Sequence, residues 1–147
     1  DSMDSNADVV VVFGGTNDFG HGDAKLGTFE SRDPYTFYGA MHVLCEKLIN
    51  RFPNADILFM TPLHRCSEDE VSKENGLPEE TNLAGYVSII REVAEFYGLP
   101  VLDLFSTSGL QPKVDIIKET YMPDGLHPSD AGALRIALRL MGFLQTL

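Results

Sequence analysis

The feature that most constrains the fold is an apolar run that ends in two glycines near the start of the chain. Residues 9–13 read Val-Val-Val-Val-Phe, and Gly14 and Gly15 follow directly. β-Branched side chains favour strands, and an apolar run without polar alternation is typical of a strand buried on both faces of a parallel sheet. We therefore predict a buried strand over residues 8–13 whose carboxyl end opens into a tight loop, with irregular chain continuing to about Pro34.

Amphipathic patterns farther along the chain predict helices that cover such a sheet. Apolar residues recur there at helical spacing, and two further apolar segments are short enough to be strands. The helices are expected over residues 36–51, 83–97 and 129–144, with a short one near residues 114–121, and the further strands over residues 56–61 and 99–105. Strands that alternate with helices form βαβ units, so the sequence predicts an α/β fold with a parallel sheet.

Composition limits the class of protein. A chain of 147 residues with 44% hydrophobic and 22% charged residues is typical of one globular domain, here residues 1–147. The net charge of −11 argues against a nucleic-acid partner, and no stretch is apolar enough to span a membrane. Cys45 and Cys66 form neither a disulfide framework nor a metal-binding spacing. No secretory leader is visible, which favours the cytoplasm.

Two segments carry side chains suited to catalysis. Asn17 follows the first strand and its glycines, at the end of a sheet where ligands bind in α/β folds, and its amide could stabilise an oxyanion. Asp124 and His127 stand three residues apart in a turn-rich segment before the last helix. A carboxylate that accepts a hydrogen bond from one imidazole nitrogen leaves the other nitrogen free as a general base. The same residues are also common in turns and helix caps.

Together the two segments resemble the SGNH, or GDSL-type, hydrolases, which are serine esterases and lipases. Gly15-Thr16-Asn17-Asp18 matches the family's Gly-x-Asn-Asp block, and Asp124-Gly125-Leu126-His127 matches its Asp-x-x-His block. The resemblance implies that Asn17 is an oxyanion-hole donor, His127 the general base and Asp124 its orienting acid. It also implies a three-layer α/β/α sandwich with a flavodoxin-like parallel sheet, of which this chain supplies about three of five strands.

The resemblance leaves the nucleophile unaccounted for. The family's Gly-Asp-Ser block and its oxyanion-hole glycine lie upstream of the Asn block, and this chain begins only a few residues before that block. Ser2 and Ser5 each follow an aspartate, but no strand precedes them to present a hydroxyl at the site, so we expect neither to be the nucleophile. We expect the N-terminal strands to be missing, and the open sheet edge to be covered by a second copy or an N-terminal companion segment.

These observations predict an ester hydrolase that acts on a small ester through a Ser-His-Asp mechanism, without a cofactor or a metal, the serine being absent from this chain. The alternative is a catalytically inactive binding or scaffold protein with a hydrolase-like fold. Metal-assisted hydrolysis through Asp18, Asp124 and His127 has less support, because no recognised ligand spacing is present. We expect His42 to be a surface or half-buried helical residue without a catalytic role, and His64 to lie in an exposed loop at the edge of the site.

Overall fold

The computed structural model describes residues 3, 6–21, 25–70 and 81–147. Three strands and six helices are present in this part of the chain. They are β1 (Val9–Phe13), α1 (Thr16–His21), α2 (Phe37–Arg51), β2 (Asp56–Met60), α3 (Leu83–Phe96), β3 (Val101–Leu102), α4 (Leu104–Thr107), α5 (Asp115–Tyr121) and α6 (Asp130–Leu144). The strands form one parallel sheet in the order β1-β2-β3. The predicted α/β fold with helices flanking a parallel sheet is confirmed.

The central strand, β2, separates two hydrophobic cores. Ile57 and Phe59 point to the face covered by α2 and α3, together with Val10 of β1. Leu58 and Met60 point to the opposite face, which α5 and α6 cover. This alternation follows from the two-residue period of a strand, and it buries the last four residues of β2. Because the strands are parallel, their carboxyl ends lie at one edge of the sheet.

β1 differs from the strand that its sequence predicts. We expected burial on both faces, but Val9, Val11 and Phe13 are 42%, 40% and 51% exposed. These three residues share the sheet face of Leu58 and Met60, and no described helix covers that face over β1. Within the described residues β1 pairs only with β2, so its outer edge is also open.

Two local structures were not predicted. The chain after Gly15 forms the short helix α1 where we expected a loop, and the expected third strand is interrupted at Asp103. The Asp103 side chain accepts the backbone N–H of Ser106 at 3.2 Å and so begins α4. An aspartate that caps a helix takes a backbone donor that a strand would use in its ladder, which shortens β3 to two residues.

Some sequence predictions fall outside the described residues, namely those on Ser2, Ser5 and residues 71–80. The predicted short helix near residues 114–121 is confirmed as α5. His42 is wholly buried in α2, so its predicted surface or half-buried position is wrong. No helix in the described ranges is long and apolar enough to cross a membrane.

Candidate active site

A cavity of about 180 Å³ opens at the carboxyl ends of β1 and β2. It brings together segments that are far apart in the sequence: the end of β1 with the start of α1, the chain after β2, and the loop before α6. The lining residues are Phe13, Gly14, Thr16, Asn17, Pro62, Leu63, Leu126, His127 and Pro128. Two of the three residues singled out from the sequence, Asn17 and His127, therefore face the same cavity.

The third, Asp124, does not line the cavity but forms a hydrogen bond with the ring of His127. Its Oδ2 lies 2.7 Å from His127 Nδ1, while its Oδ1 accepts the backbone N–H groups of Leu126 at 2.8 Å and His127 at 2.7 Å. The hydrogen bond from the His127 side chain, followed by those from the two N–H groups, holds the pKa of Asp124 well below its usual range. An ionised carboxylate only accepts hydrogen bonds, so Nδ1 of His127 carries a proton and Nε2 is free to accept one.

Local sequence determines the shape of this loop. α5 ends before Pro123, and Gly125 turns the chain with φ +78°, a conformation that favours glycine. The N–H of Gly125 donates to the carbonyl of Met122 at 2.8 Å. Ser129 then caps α6 by accepting the N–H of Gly132 at 3.3 Å. The Asp-His pair is therefore held between two helix ends.

Asn17 owes its position to the glycines after β1. Gly15 has φ +102°, and a Cβ at this position would lie 3.1 Å from Ile90 and 3.3 Å from Pro62. The absence of a side chain lets the backbone turn closely over the core and start α1 at Thr16. Asn17 is exposed on this helix, and no described residue forms a hydrogen bond with its side-chain amide. The amide is therefore available to a ligand in the cavity.

His64 does not line the cavity. Its Nδ1 lies 2.7 Å from Glu68 Oε2, and its ring packs on Phe105 with centroids 3.9 Å apart. The chain after β2 contributes Pro62 and Leu63 instead. Sequence reasoning also missed Arg65 and Cys66, of which the first contacts α1 on one side of the cavity and the second contacts the Asp-His loop on the other. Their one sequence signal is their position directly after a strand, where loops converge on the site.

The described cavity lining contains no serine, and Thr16 supplies its one hydroxyl. Asp18 lines a neighbouring apolar cavity between β1 and α2 rather than the one that His127 faces. Across the described ranges, no group of three His, Cys, Asp or Glu side chains could hold a metal ion. The structure therefore does not assemble Asp18, Asp124 and His127 into a metal site.

Residues 1–135 match the model of the GDSL-like lipase/acylhydrolase family. A solved protein from Lactobacillus plantarum is 30% identical with a TM-score of 0.87, and the match covers 99% of this chain and 70% of that one. Another solved structure is 39% identical with a TM-score of 0.85, covering 99% and 67%. An acetyl xylan esterase, 24% identical over 92% of this chain and 66% of its own, shares the fold with a TM-score of 0.62. No curated protein matches the chain significantly.

Proposed function

The chain belongs to the GDSL-like lipase/acylhydrolase family, and from this premise we propose that it hydrolyses carboxylic esters through His127, Asp124 and Asn17. One observation carries the proposal. Asn17 and His127 face a single cavity, and Asp124 orients His127 by a 2.7 Å hydrogen bond to Nδ1. An oriented imidazole beside an amide donor that no described residue occupies is an arrangement suited to acyl transfer.

In the proposed reaction a serine hydroxyl attacks the ester carbonyl while Nε2 of His127 takes its proton. The carbonyl oxygen becomes an oxyanion, to which the amide of Asn17 donates a hydrogen bond. The C–O bond to the alcohol then breaks, and the imidazolium returns its proton to the leaving oxygen. Water, deprotonated by Nε2, attacks the acyl-serine; the bond to the serine oxygen breaks, that oxygen takes the proton back from the imidazolium, and the acid is released. Asp124 keeps the imidazole in the required tautomer and stabilises its charged form.

We propose that the serine comes from outside this chain. This agrees with the described cavity lining, whose one hydroxyl belongs to Thr16. The same observation favours the alternative of a binding protein that keeps the hydrolase fold without catalysis. The two proposals differ in what happens when a serine is supplied next to the cavity.

The cavity favours a small acyl group. Its volume is about 180 Å³, and its walls are mainly apolar through Phe13, Leu63 and Leu126. An apolar cavity of roughly 150 Å³ holds a molecule the size of benzene, so the described part of the site accommodates an acyl chain of a few carbons. Acetyl and butyryl esters are therefore the substrates to test first.

The decisive experiment follows hydrolysis of nitrophenyl acetate, butyrate and octanoate by two proteins. One is the 147-residue chain, and the other is a product extended upstream to the length of the solved relatives. The proposal predicts near-background rates and no labelling by a fluorophosphonate for the chain, but rapid hydrolysis of the shorter esters by the extended product. Substitution of His127 by Ala in that product should lower the rate by several orders of magnitude, and Asn17→Ala by about a hundred- to a thousandfold.

His21→Ala is the matched control, because His21 is an exposed histidine at the end of α1 that does not line the cavity. It should leave the rate unchanged. An extended, folded product that hydrolyses none of the esters would support the binding protein instead. Fluorophosphonate labelling of a serine within the 147 residues would contradict the proposal that the nucleophile lies outside this chain.

A further inference from the structure

Two consecutive residues after β2 contact opposite sides of the cavity. Arg65 contacts α1, which carries Asn17, and Cys66 contacts the loop that carries Asp124 and His127. The role of this pair depends on the proposed function, because it concerns how the groups of that site are positioned.

The guanidinium of Arg65 packs along α1. Its Nη1 donates to the carbonyl of Thr16 at 3.3 Å, and its Cζ lies 5.4 Å from the centre of the Phe19 ring. A Cβ on Gly20 would lie 2.8 Å from the same Nη1, so the guanidinium rests directly against the backbone of that glycine. Three positions on one helix of six residues are therefore fixed by a single side chain. Asn17 lies between two of these positions, Thr16 and Phe19.

Cys66 holds the opposite side of the cavity. Its backbone N–H donates to the carbonyl of Gly125 at 2.9 Å. A Cβ on Gly125 would lie 2.5 Å from the Cys66 sulfur, so the cysteine packs closely against the residue between Asp124 and Leu126. The position of the Asp-His loop therefore depends on where the chain after β2 lies.

Glu68 makes the connecting turn rigid. Its Oε2 accepts the backbone N–H of Arg65 at 3.1 Å, and its own N–H donates to the Arg65 carbonyl at 3.2 Å. Burial opposes ionisation of the carboxyl group, but hydrogen bonds from Gln111, His64, Lys113 and Arg65 outweigh it and lower its pKa. Only 7% of Glu68 is exposed, so its carboxylate is enclosed by these partners and holds the turn in place.

We propose that Arg65 is a positioning residue of the active site, which holds α1 so that the amide of Asn17 faces His127 across the cavity. The turn over residues 65–68 sets the distance between the two segments, since it is bound to α1 by Arg65 and to the Asp-His loop by Cys66. Without the guanidinium, α1 keeps the packing of its buried Phe19 ring but loses the contacts at Thr16 and Gly20. Asn17 then samples positions away from the oxyanion.

The test compares Arg65→Met with Arg51→Met by NMR of the 147-residue chain. Arg51 is a close match, because its guanidinium also lies over a phenyl ring, that of Phe52 at 5.5 Å, and donates to a backbone carbonyl, that of Met3 at 2.8 Å. It lies at the opposite end of the sheet, where α2 ends. Arg65→Lys keeps a charged donor and serves as a second variant if Arg65→Met does not fold.

In Arg65→Met we expect the side-chain amide signals of Asn17 to shift or broaden. The backbone N–H of Phe19, which donates to the carbonyl of Gly15 at 3.2 Å, should exchange its hydrogen about tenfold faster. Arg65→Lys should reverse part of both effects, while Arg51→Met should change neither. Unchanged Asn17 signals and Phe19 exchange in a folded Arg65 variant would overturn the inference. This readout needs no activity, so it is independent of whether the proposed hydrolysis occurs.

In the extended product, the inference also predicts a kcat about tenfold to a hundredfold lower for Arg65→Met with KM nearly unchanged. A donor that acts on the oxyanion contributes only in the transition state, so its displacement lowers kcat rather than substrate affinity. A change confined to KM would contradict positioning of Asn17. Absence of hydrolysis in the unsubstituted extended product would count against the proposed function and leave the NMR result to decide the role of Arg65.

Discussion

At the scale of single residues, the proposed chemistry depends on one proton. Oδ2 of Asp124 fixes that proton on Nδ1 of His127, while Oδ1 is occupied by two backbone N–H groups. The carboxylate cannot rotate away without losing these two bonds, so the same side chain shapes the loop and selects the tautomer. The side chain of Asp124 is 55% exposed and that of His127 is 75% exposed, so packing contributes little to their orientation.

Asp124→Asn should invert the tautomer while preserving the loop. The amide oxygen can still accept the N–H groups of Leu126 and His127, but the amide nitrogen donates toward Nδ1 and drives the imidazole proton to Nε2. Imidazole ¹⁵N shifts should show this exchange, and the extended product should lose about four orders of magnitude in kcat. Asp130→Asn, on the exposed first turn of α6, is the control. A proton that stays on Nδ1 would contradict the assigned role of Asp124.

His42 shows how burial changes a residue that the sequence leaves ambiguous. Its Nδ1 lies 3.0 Å from the hydroxyl of Tyr97, which donates its own proton to Glu46 at 2.9 Å. The Tyr97 oxygen must then accept from His42, so Nδ1 carries the proton and Nε2 is bare. Nε2 has no hydrogen-bond partner among the described residues, and the ring packs edge-on against Phe29 and Phe96.

The fold should therefore lose stability on mild acidification. Burial, and then the charge of Arg32, lower the pKa of His42, so the unfolded chain binds more protons as pH falls below the ordinary histidine value of about 6.5. Stability is full above that pH and declines below it, by at most about 1.4 kcal/mol per pH unit. The lowered carboxyl pKa values of Glu68 and Asp103 act only near and below pH 4.5.

Urea unfolding between pH 7.5 and 5 measures the effect. In His42→Phe the decline in stability toward pH 5 should become smaller, since Phe has no group that takes up a proton. His21→Ala should keep the dependence, because His21 is exposed at the end of α1. An equal decline in both variants would show that another group causes it.

At the scale of secondary-structure elements, the loops that carry the site are fixed by close backbone contacts rather than by a large core. Gly125 and Gly98 both have positive φ, at +78° and +67°. Gly98 follows the end of α3, and Gly125 closes the turn that begins at Met122 after α5. A Cβ on Gly98 meets no atom within 4 Å, whereas one on Gly125 would lie 2.5 Å from the sulfur of Cys66. Substitution of Gly98 therefore tests the cost of the left-handed backbone alone, whereas substitution of Gly125 adds a steric clash with Cys66.

Gly98→Ala should cost about 1–2 kcal/mol of unfolding free energy, from the left-handed backbone alone. Gly125→Ala carries the same penalty plus the clash with Cys66, so we expect a larger loss, which Cys66→Ala should partly recover in the double variant. Chemical denaturation of the unsubstituted chain, the three single variants and the double variant measures these differences. Equal costs for the two glycines would show that the chain after β2 yields easily and does not hold the Asp-His loop.

At the scale of the whole molecule, the open side of β1 is the main unsatisfied feature of the described structure. Val9, Val11 and Phe13 expose apolar surface, and the outer edge of the strand has unpaired backbone groups. Such an edge readily pairs with another strand. We propose that a second copy or an N-terminal companion segment covers it.

The chain by itself should associate in solution through this edge. Val11→Lys places a charge on the strand and should weaken association at least tenfold, as measured by sedimentation velocity over a range of concentrations. Ile116→Lys is the control, because Ile116 is 65% exposed on α5, away from the sheet edge. A stable, monodisperse unsubstituted monomer would argue against covering by a second copy.

The sequence by itself determined the features that depend on neighbouring residues. Three kinds of local pattern are visible without any tertiary contact: the apolar run of β1, the helical periodicity of α2, α3 and α6, and the three-residue spacing of Asp124 and His127. The family resemblance linked Asn17 to His127. The predicted length of the third strand was wrong, because an aspartate such as Asp103 can stand at the N-cap of a helix as well as at the end of a strand.

Only the tertiary structure decided which distant segments meet. His42 and an exposed helical histidine look alike in the sequence, and the ring is buried because Phe29, Phe96 and Tyr97 come from other segments. The contacts of Arg65 with Thr16 and of Cys66 with Gly125 likewise depend on how three loops converge at the sheet edge. The periodicity of a sequence indicates which face of a helix or strand is buried, but it does not identify the segment that packs against that face.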